Sequence, residues 1–122
     1  MELSADLFQL ADEIKRSQKA FLALGHELRY RIVLVLLWSE DQRGMGLYDI
    51  ADTVSASPGV VARHLQILED AGIVVRPRED DKKFYSLSTD TQVMDQLLTM
   101  LGHTRDFMLQ AAARSNRNAF SV

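Results

Sequence analysis

Apolar residues recur at helical spacing from the first residues of the chain. Leu3, Leu7, Leu10, Ile14, Ser17, Phe21 and Leu24 step alternately by four and three, a seam that predicts a helix over 3–24 with Ser4 as its cap. Gly25 breaks that pattern, and Leu28, Ile32, Val35 and Leu36 open a second helix over 26–39. The run from Ile32 to Trp38 is apolar nearly all round, which places this helix centrally, and His26 begins it as a helix-end hydrogen-bonding residue. Ser39 to Gly46 is polar and glycine-rich and reads as a loop.

A tighter pattern follows. Leu47, Ile50, Ala51 and Val54 mark a short helix, and Ser55-Ala56-Ser57 a turn. Ser57 can cap the next helix, Pro58 suits its first turn and Gly72 its stop, while Val61, Leu65 and Leu68 form one narrow stripe toward a core. Two strand-like runs come next, Ile73 to Arg78 and Phe84 to Leu87, joined by the charged tip Glu79-Asp80-Asp81-Lys82-Lys83. Thr89 or Asp90 can then cap a long last helix over 90–113. Its apolar residues form two adjacent rows, Val93, Leu97, Met100, Thr104, Phe107, Ala111 and Met94, Leu98, Leu101, Met108, Ala112. From Arg114 to Val122 the pattern is lost and the end is expected to fray.

The order of elements predicts a mainly α fold with a small β-hairpin: a winged helix-turn-helix of about five helices in one domain, 1–122. The helix-turn-helix falls at 47–71 and the wing at 73–88. Two apolar rows are wider than one domain's core requires of a terminal helix, so the spare surface is expected to be buried against a twin subunit. The residues assigned to that contact are Leu7, Leu10, Ile14 and Phe21 of the first helix and Val93, Leu97, Met100 and Phe107 of the last.

The second helix of the pair is the expected reader. Its outer face carries Gly59, Ala62, Arg63 and Gln66, where an ordinary surface helix would carry Glu and Lys. Small residues let a helix sit deep against another surface, and Arg and Gln can hydrogen-bond base edges in a major groove. Ser57, Pro58, Gly59, Ala62, Arg63 and Gln66, with Arg76, Arg78, Lys82 and Lys83 of the wing, are therefore the candidate contacts to double-stranded DNA. Arg63 is the main candidate for a base or phosphate contact, and Ala62 and Pro58 could pack on thymine methyls.

Charge tempers this picture. The net charge is −3, and Glu79, Asp80 and Asp81 offset most of the wing's cations. Lys15, Arg16, Lys19, Arg29 and Arg31 face only Glu27 between 15 and 31, so placement favours DNA more than the total does. A dimer would double the phosphate contacts. The chain has no cysteine, which excludes a disulfide framework and thiolate chemistry. No apolar run reaches the ~18 residues of a membrane span, and no basic-then-apolar leader opens the sequence, so a cytoplasmic protein is expected. Paired carboxylates in a cleft, a glycine-rich phosphate loop and a nucleophile–base pair are all lacking, which argues against an enzyme.

These residues resemble the ArsR-type (arsenical-resistance-repressor-like) winged-helix regulators of bacteria and archaea. The resemblance spans roughly Lys19 to Leu87. It rests on Leu24-Gly25-His26-Glu27-Leu28-Arg29-Tyr30-Arg31-Ile32, on Asp49-Ile50-Ala51, on the block from Val61 to Val74, and on Phe84-Tyr85-Ser86-Leu87. It implies a homodimer built on the first and last helices, bound to an operator inverted repeat, with repression relieved by an effector. The departures bear on that effector. Where arsenic- or lead-sensing members place cysteines, this chain has Gly46 and Tyr48, so that site is absent. Where others hold zinc across the last helices of the dimer, it has Asp90, Gln92, His103 and Asp106. Gln92 is a poor ligand in place of an imidazole, so no metal is expected, with zinc at Asp90, His103 and Asp106 as the alternative. Members of the family commonly carry Gln, Ser and Ser where this reader has Pro58, Gly59 and Ala62, which predicts modest sequence specificity and more reliance on groove shape.

The expected function is a DNA-binding transcriptional regulator, a repressor, with a small-molecule effector as a further candidate partner. The alternative is a winged helix used for protein contact or dimerisation. The acidic net charge and wing tip favour the alternative; Arg63, Gln66 and the small reader face favour DNA.

Overall fold

The computed structural model describes residues 5–39 and 43–120, with side chains through 116. Five helices and three short strands follow one another as α1 (Ala5–Leu24), α2 (Glu27–Trp38), β1 (Met45–Gly46), α3 (Leu47–Val54), α4 (Pro58–Asp70), β2 (Val74–Val75), β3 (Phe84–Leu87) and α5 (Gln92–Phe120). Leu3 and Ser4, assigned to the first helix, lie outside the described residues.

The core forms where α3 and α4 meet α1 and α2. Ile32 of α2, Ile50 and Val54 of α3, Val61, Leu65 and Leu68 of α4 and Val74 of β2 are its largest fully buried side chains. The stripe read at i, i+4, i+7 on α4 is thus its inward face, and each such side chain contributes roughly 1.5–3 kcal/mol by leaving water. α1 packs antiparallel along α5: Asp6 and Gln9 share a hollow with residues 103–110, whereas Arg16 and Ser17 share one with 90–99.

Turns set the angles between these elements. The α3–α4 turn is closed by Ser55 in the left-handed region at φ 58°, with Ala56 N donating to Ala51 O at 3.0 Å. Ser57 then caps α4, its side chain accepting from Val60 N at 3.4 Å, and Pro58 opens the first turn. α4 stops in a Schellman motif: Gly72 has φ 79°, its N–H donates to Glu69 O, and Ile73 N–H donates to Leu68 O. A Cβ at Gly72 would also lie 3.0 Å from Val93 Cγ2 on α5, so the stop needs glycine for space as well as for backbone freedom.

The strands form an antiparallel sheet in the order β1-β3-β2, with Met45 opposite Tyr85 and Val74 opposite Leu87. Two expectations change here. Met45–Gly46, read as loop, is a strand; two residues are too few to show any periodicity, and the pairing partner is some forty residues away. Gly44 lets the chain enter it: at φ 94°, a Cβ would lie 2.7 Å from Tyr85 O. The run expected over Ile73–Arg78 pairs only at Val74–Val75, since Arg76 turns to bond α4 and Pro77 has no N–H for a ladder.

The ends of α5 also differ from expectation. It begins at Gln92 rather than 90, with Asp90 Oδ1 accepting from Gln92 N at 3.0 Å. It continues to Phe120, beyond the expected fraying point at Arg114. Loss of an apolar row removes a reason for burial, not the hydrogen-bonding capacity of the backbone, and Ala111–Ala113 favour helix.

The residues assigned to a twin subunit fall into two groups. Leu10, Leu97 and Met100 are buried within the chain itself, and Leu7, Val93 and Phe107 are half-buried, so these residues serve its own packing. Ile14 and Phe21 are exposed. The apolar row that α5 leaves uncovered is the other one, Met94, Leu98, Leu101 and Met108. The inward face of α1 is turned toward Ser17, Ala20 and Ala23, small residues that permit close approach and that a search for large apolar side chains passes over.

Candidate nucleic-acid interface

α4 presents one face to the core and the opposite one to solvent. Ser57, Pro58, Gly59, Arg63 and Gln66 are exposed there, and Ala62 is half-buried. A Cβ at Gly59 would meet nothing within 4 Å, so its smallness answers no need of the chain's own packing. Arg63 is exposed and makes no hydrogen bond or ion pair among the described residues, which leaves its guanidinium available to an outside partner.

Behind this face, α4 is braced by residues whose roles the sequence did not display. Arg29 on α2 donates from Nε to Ala23 O at 2.8 Å and from Nη2 to Leu22 O at 3.3 Å, while its Nη1 lies 3.1 Å from His64 Nδ1 on α4. Arg31 donates to Val54 O, 3.1 Å away, at the end of α3. Both arginines, counted above as basic surface, instead tie helix ends together. His26 accepts from Leu28 N, as its position at the start of α2 predicted, and its ring lies 4.7 Å from that of His64. Burial, then the nearby His26, Arg29 and Arg63, holds His64 below the ordinary histidine value of 6.5 and keeps it a neutral partner for Arg29.

The hairpin side of the interface is more heavily self-engaged than expected. Arg76 donates to Glu69 at 2.9 Å and to Lys82 O at 3.3 Å, lies 5.1 Å over the Tyr85 ring, and reaches Gln66 at 3.4 Å. Gln66 in turn donates to Asp70 at 2.9 Å. Gln66 and Arg76, both assigned as DNA contacts, are therefore committed to one another and to α4. Their spacing along the chain shows no sign of it, because the Schellman turn at Gly72 is what folds β2 back beside the helix. Arg78 lies 4.4 Å over the Phe84 ring and 3.7 Å from Asp80. Asp81, counted as repulsive tip charge, accepts from Lys83 N at 3.0 Å and shapes the turn. Lys82 and Lys83 are exposed, Lys83 5.4 Å over Tyr48. Of the cations assigned as DNA contacts, Arg63, Lys82 and Lys83 are left facing outward.

The candidate metal ligands do not converge within one chain. Asp90 precedes α5, and the eleven helical steps from Gln92 to His103 alone rise about 16 Å. Asp90 lines one hollow with Gln92, and His103 and Asp106 line another. His103 Nδ1 is already bound to Glu13 of α1, at 2.9 and 2.8 Å from its two oxygens. Among the described residues no group of three or more His, Cys, Asp or Glu could hold a metal ion. Gln92 carries an amide, a poor zinc ligand where an imidazole is expected, and the Glu13 contact engages only Nδ1 of His103.

The Glu13–His103 pair joins α1 to α5 and has a pH signature. The hydrogen bond that Glu13 accepts, then its charge, raises His103 above its ordinary value of 6.5. A raised folded value means that the pair's stabilisation is fully present below about pH 6.5 and is lost as pH rises through the folded value. His64 works in the opposite sense, losing stability as pH falls below 6.5. His103→Gln should therefore narrow its stability deficit against wild type between about pH 6 and pH 8, which thermal melts across that range would read. A deficit constant with pH would remove the pair as a titrating link.

No helix among the described residues is long and apolar enough to cross a membrane. Comparison of the chain with known protein families, with characterised proteins and with solved structures finds no match.

Proposed function

We propose that the chain is a DNA-binding transcriptional regulator of winged helix-turn-helix type, acting as a homodimer on an operator inverted repeat, as its resemblance to the ArsR-type repressors implies. The observation that carries this reading is the outer face of α4: small at Pro58, Gly59 and Ala62, with an unpaired Arg63, and braced from behind by Arg29 and His64. A helix with that face can lie close to base edges, α3 preceding it and the β2–β3 hairpin beside it acting as wing. The uncovered apolar residues of α1 and α5 supply the twofold contact that would present two such helices together.

Titration of duplex DNA at increasing salt tests the reading. Each phosphate contact contributes about −0.9 to the slope of log affinity against log salt, so a dimer making several contacts weakens steeply. Arg63→Ala should cost about 1–3 kcal/mol of operator binding while leaving thermal stability unchanged. Wild-type affinity in that variant would overturn the assignment of α4 as reader.

A second reading, a winged helix used for protein contact, is favoured by two observations. The net charge is −3, and α2 exposes Tyr30, Leu34, Leu37 and Trp38 along one side. Duplex affinity that is absent, or indifferent to salt, would select it.

A further inference from the structure

Two histidines meet where α4 passes the joint between α1 and α2, and their hydrogen bonds fix the protonation state of both. A guanidinium has only N–H donors, so His64 Nδ1, 3.1 Å from Arg29 Nη1, must be bare and accepting. The amide of Leu28 also only donates, so His26 Nδ1, 3.2 Å away, is bare as well. Each ring is therefore neutral, with its one proton on Nε2. The bare nitrogen is the only place a further proton can go, and it is the one each bond uses.

Neither ring has a carboxylate to balance an added charge. The charged groups acting on His64 are His26 and Arg29 from the α2 end and Arg63 from its own helix, all basic. From α1 the cluster meets main-chain carbonyls, at Leu22 and Ala23, and both accept from Arg29. Arg31 of α2 is engaged by Val54 O on α3. Glu27, next to His26, is exposed and pairs with neither ring among the described residues. A proton on His64 would set two cations 3.1 Å apart with no lone pair between them, and a proton on His26 would add a third beside a ring whose centroid is 4.7 Å away.

The position of the cluster gives this a mechanical consequence. Arg29 is anchored on the last turn of α1, and through it His64 ties α4 to that turn. Val61, Leu65 and Leu68 hold the inward face of α4 by burial, which is non-directional. The hydrogen bond to His64 adds the direction.

We infer that His26, Arg29 and His64 form an acid-released brace, which fixes α4 against the α1–α2 joint at neutral pH and lets it shift once an imidazole takes a proton. Burial, then the surrounding basic groups, holds His64 below its ordinary value of 6.5, so a proton is taken up more readily once the helix has shifted. Each pH unit below about 6.5 then favours the shifted state by up to about tenfold for one histidine. That acid also weakens duplex binding rests on the reading of α4 as the DNA-contacting helix; the brace itself does not.

Nitrogen resonances of the imidazoles and amide hydrogen exchange, both on the full chain without DNA, test the brace apart from that reading. At about pH 7.5 both Nδ1 atoms should be unprotonated. Between about pH 7.5 and pH 5.5, after correction for the intrinsic pH dependence of exchange, α4 amides from Val61 to Leu68 should lose protection severalfold. Amides of Leu97 and Met100 on α5 should keep theirs. His64→Asn retains an acceptor for Arg29 that takes no proton, and His26→Asn retains the cap. The double variant should hold α4 protection constant across the range, and His26→Asn alone should reduce the acid loss. A proton on His64 Nδ1 at neutral pH, α4 protection indifferent to acid in wild type, or an undiminished acid loss in the double variant would overturn the inference.

Discussion

Leu98→Glu should leave the protein monomeric and, through that alone, unable to hold an operator. Leu98 is 66% exposed in the middle of the row Met94, Leu98, Leu101 and Met108, which α1 does not cover. On α1, Ile14 and Phe21 are exposed as well. Monomeric proteins seldom leave so much apolar surface in one place without use for it. A twofold interface contains every substitution twice, so both glutamates would be desolvated together. Each forfeits about 1.5–3 kcal/mol of apolar burial and adds a charge without a partner, which raises the dimer dissociation constant by about a thousandfold or more. Sedimentation equilibrium of wild type and variant measures it. A monomeric wild type, or a monomeric variant that binds duplex as wild type does, would remove the dimer from the proposal.

Leu65→Ala should cost about 2–5 kcal/mol of folding stability, a large part of what a domain of this size possesses. Leu65 is fully buried on the inward face of α4, and truncation leaves a void between α4 and the helices it packs against. Its outward neighbour Arg63 supplies the contrast, because a surface substitution there falls within about ±0.5 kcal/mol. Urea unfolding of the two variants separates them. If Leu65→Ala unfolded at the same urea concentration as wild type, α4 would not be anchored as described.

The contrast between neighbouring positions on α4 explains which parts of the molecule were legible in the sequence. Val61, Leu65 and Leu68 repeat at helical spacing, Ser57 and Gly72 bracket them, and the structure carries the helix and its inward face as read. Periodicity of that kind is a local property of the chain. The partners of Gln66 and Arg76 are not, since they depend on how a turn closes between them. The same limit hid β1, whose two residues acquire their conformation from β3. On α5 the spacing revealed two apolar rows but could not say which one α1 would cover; Leu97 and Met100, assigned to a partner subunit, are buried within the chain. Ser17 was read as one step of a seam; that its hydroxyl is unmet became visible only with its surroundings.

The guanidinium of Arg76 touches Glu69 and Gln66 on the helix, a carbonyl at Lys82 and the ring of Tyr85 on the hairpin. Such a rivet makes α4 and the base of the hairpin a two-pronged fork of fixed spread. Were the chain to bind duplex DNA as proposed, prongs tied in this way would resist splaying, and the outer loop around Glu79 and Asp80 would be the part left to adjust. On the proposed reading, discrimination would fall to the duplex: stretches whose grooves already match the gap would be gripped, and the others would have to be bent to fit.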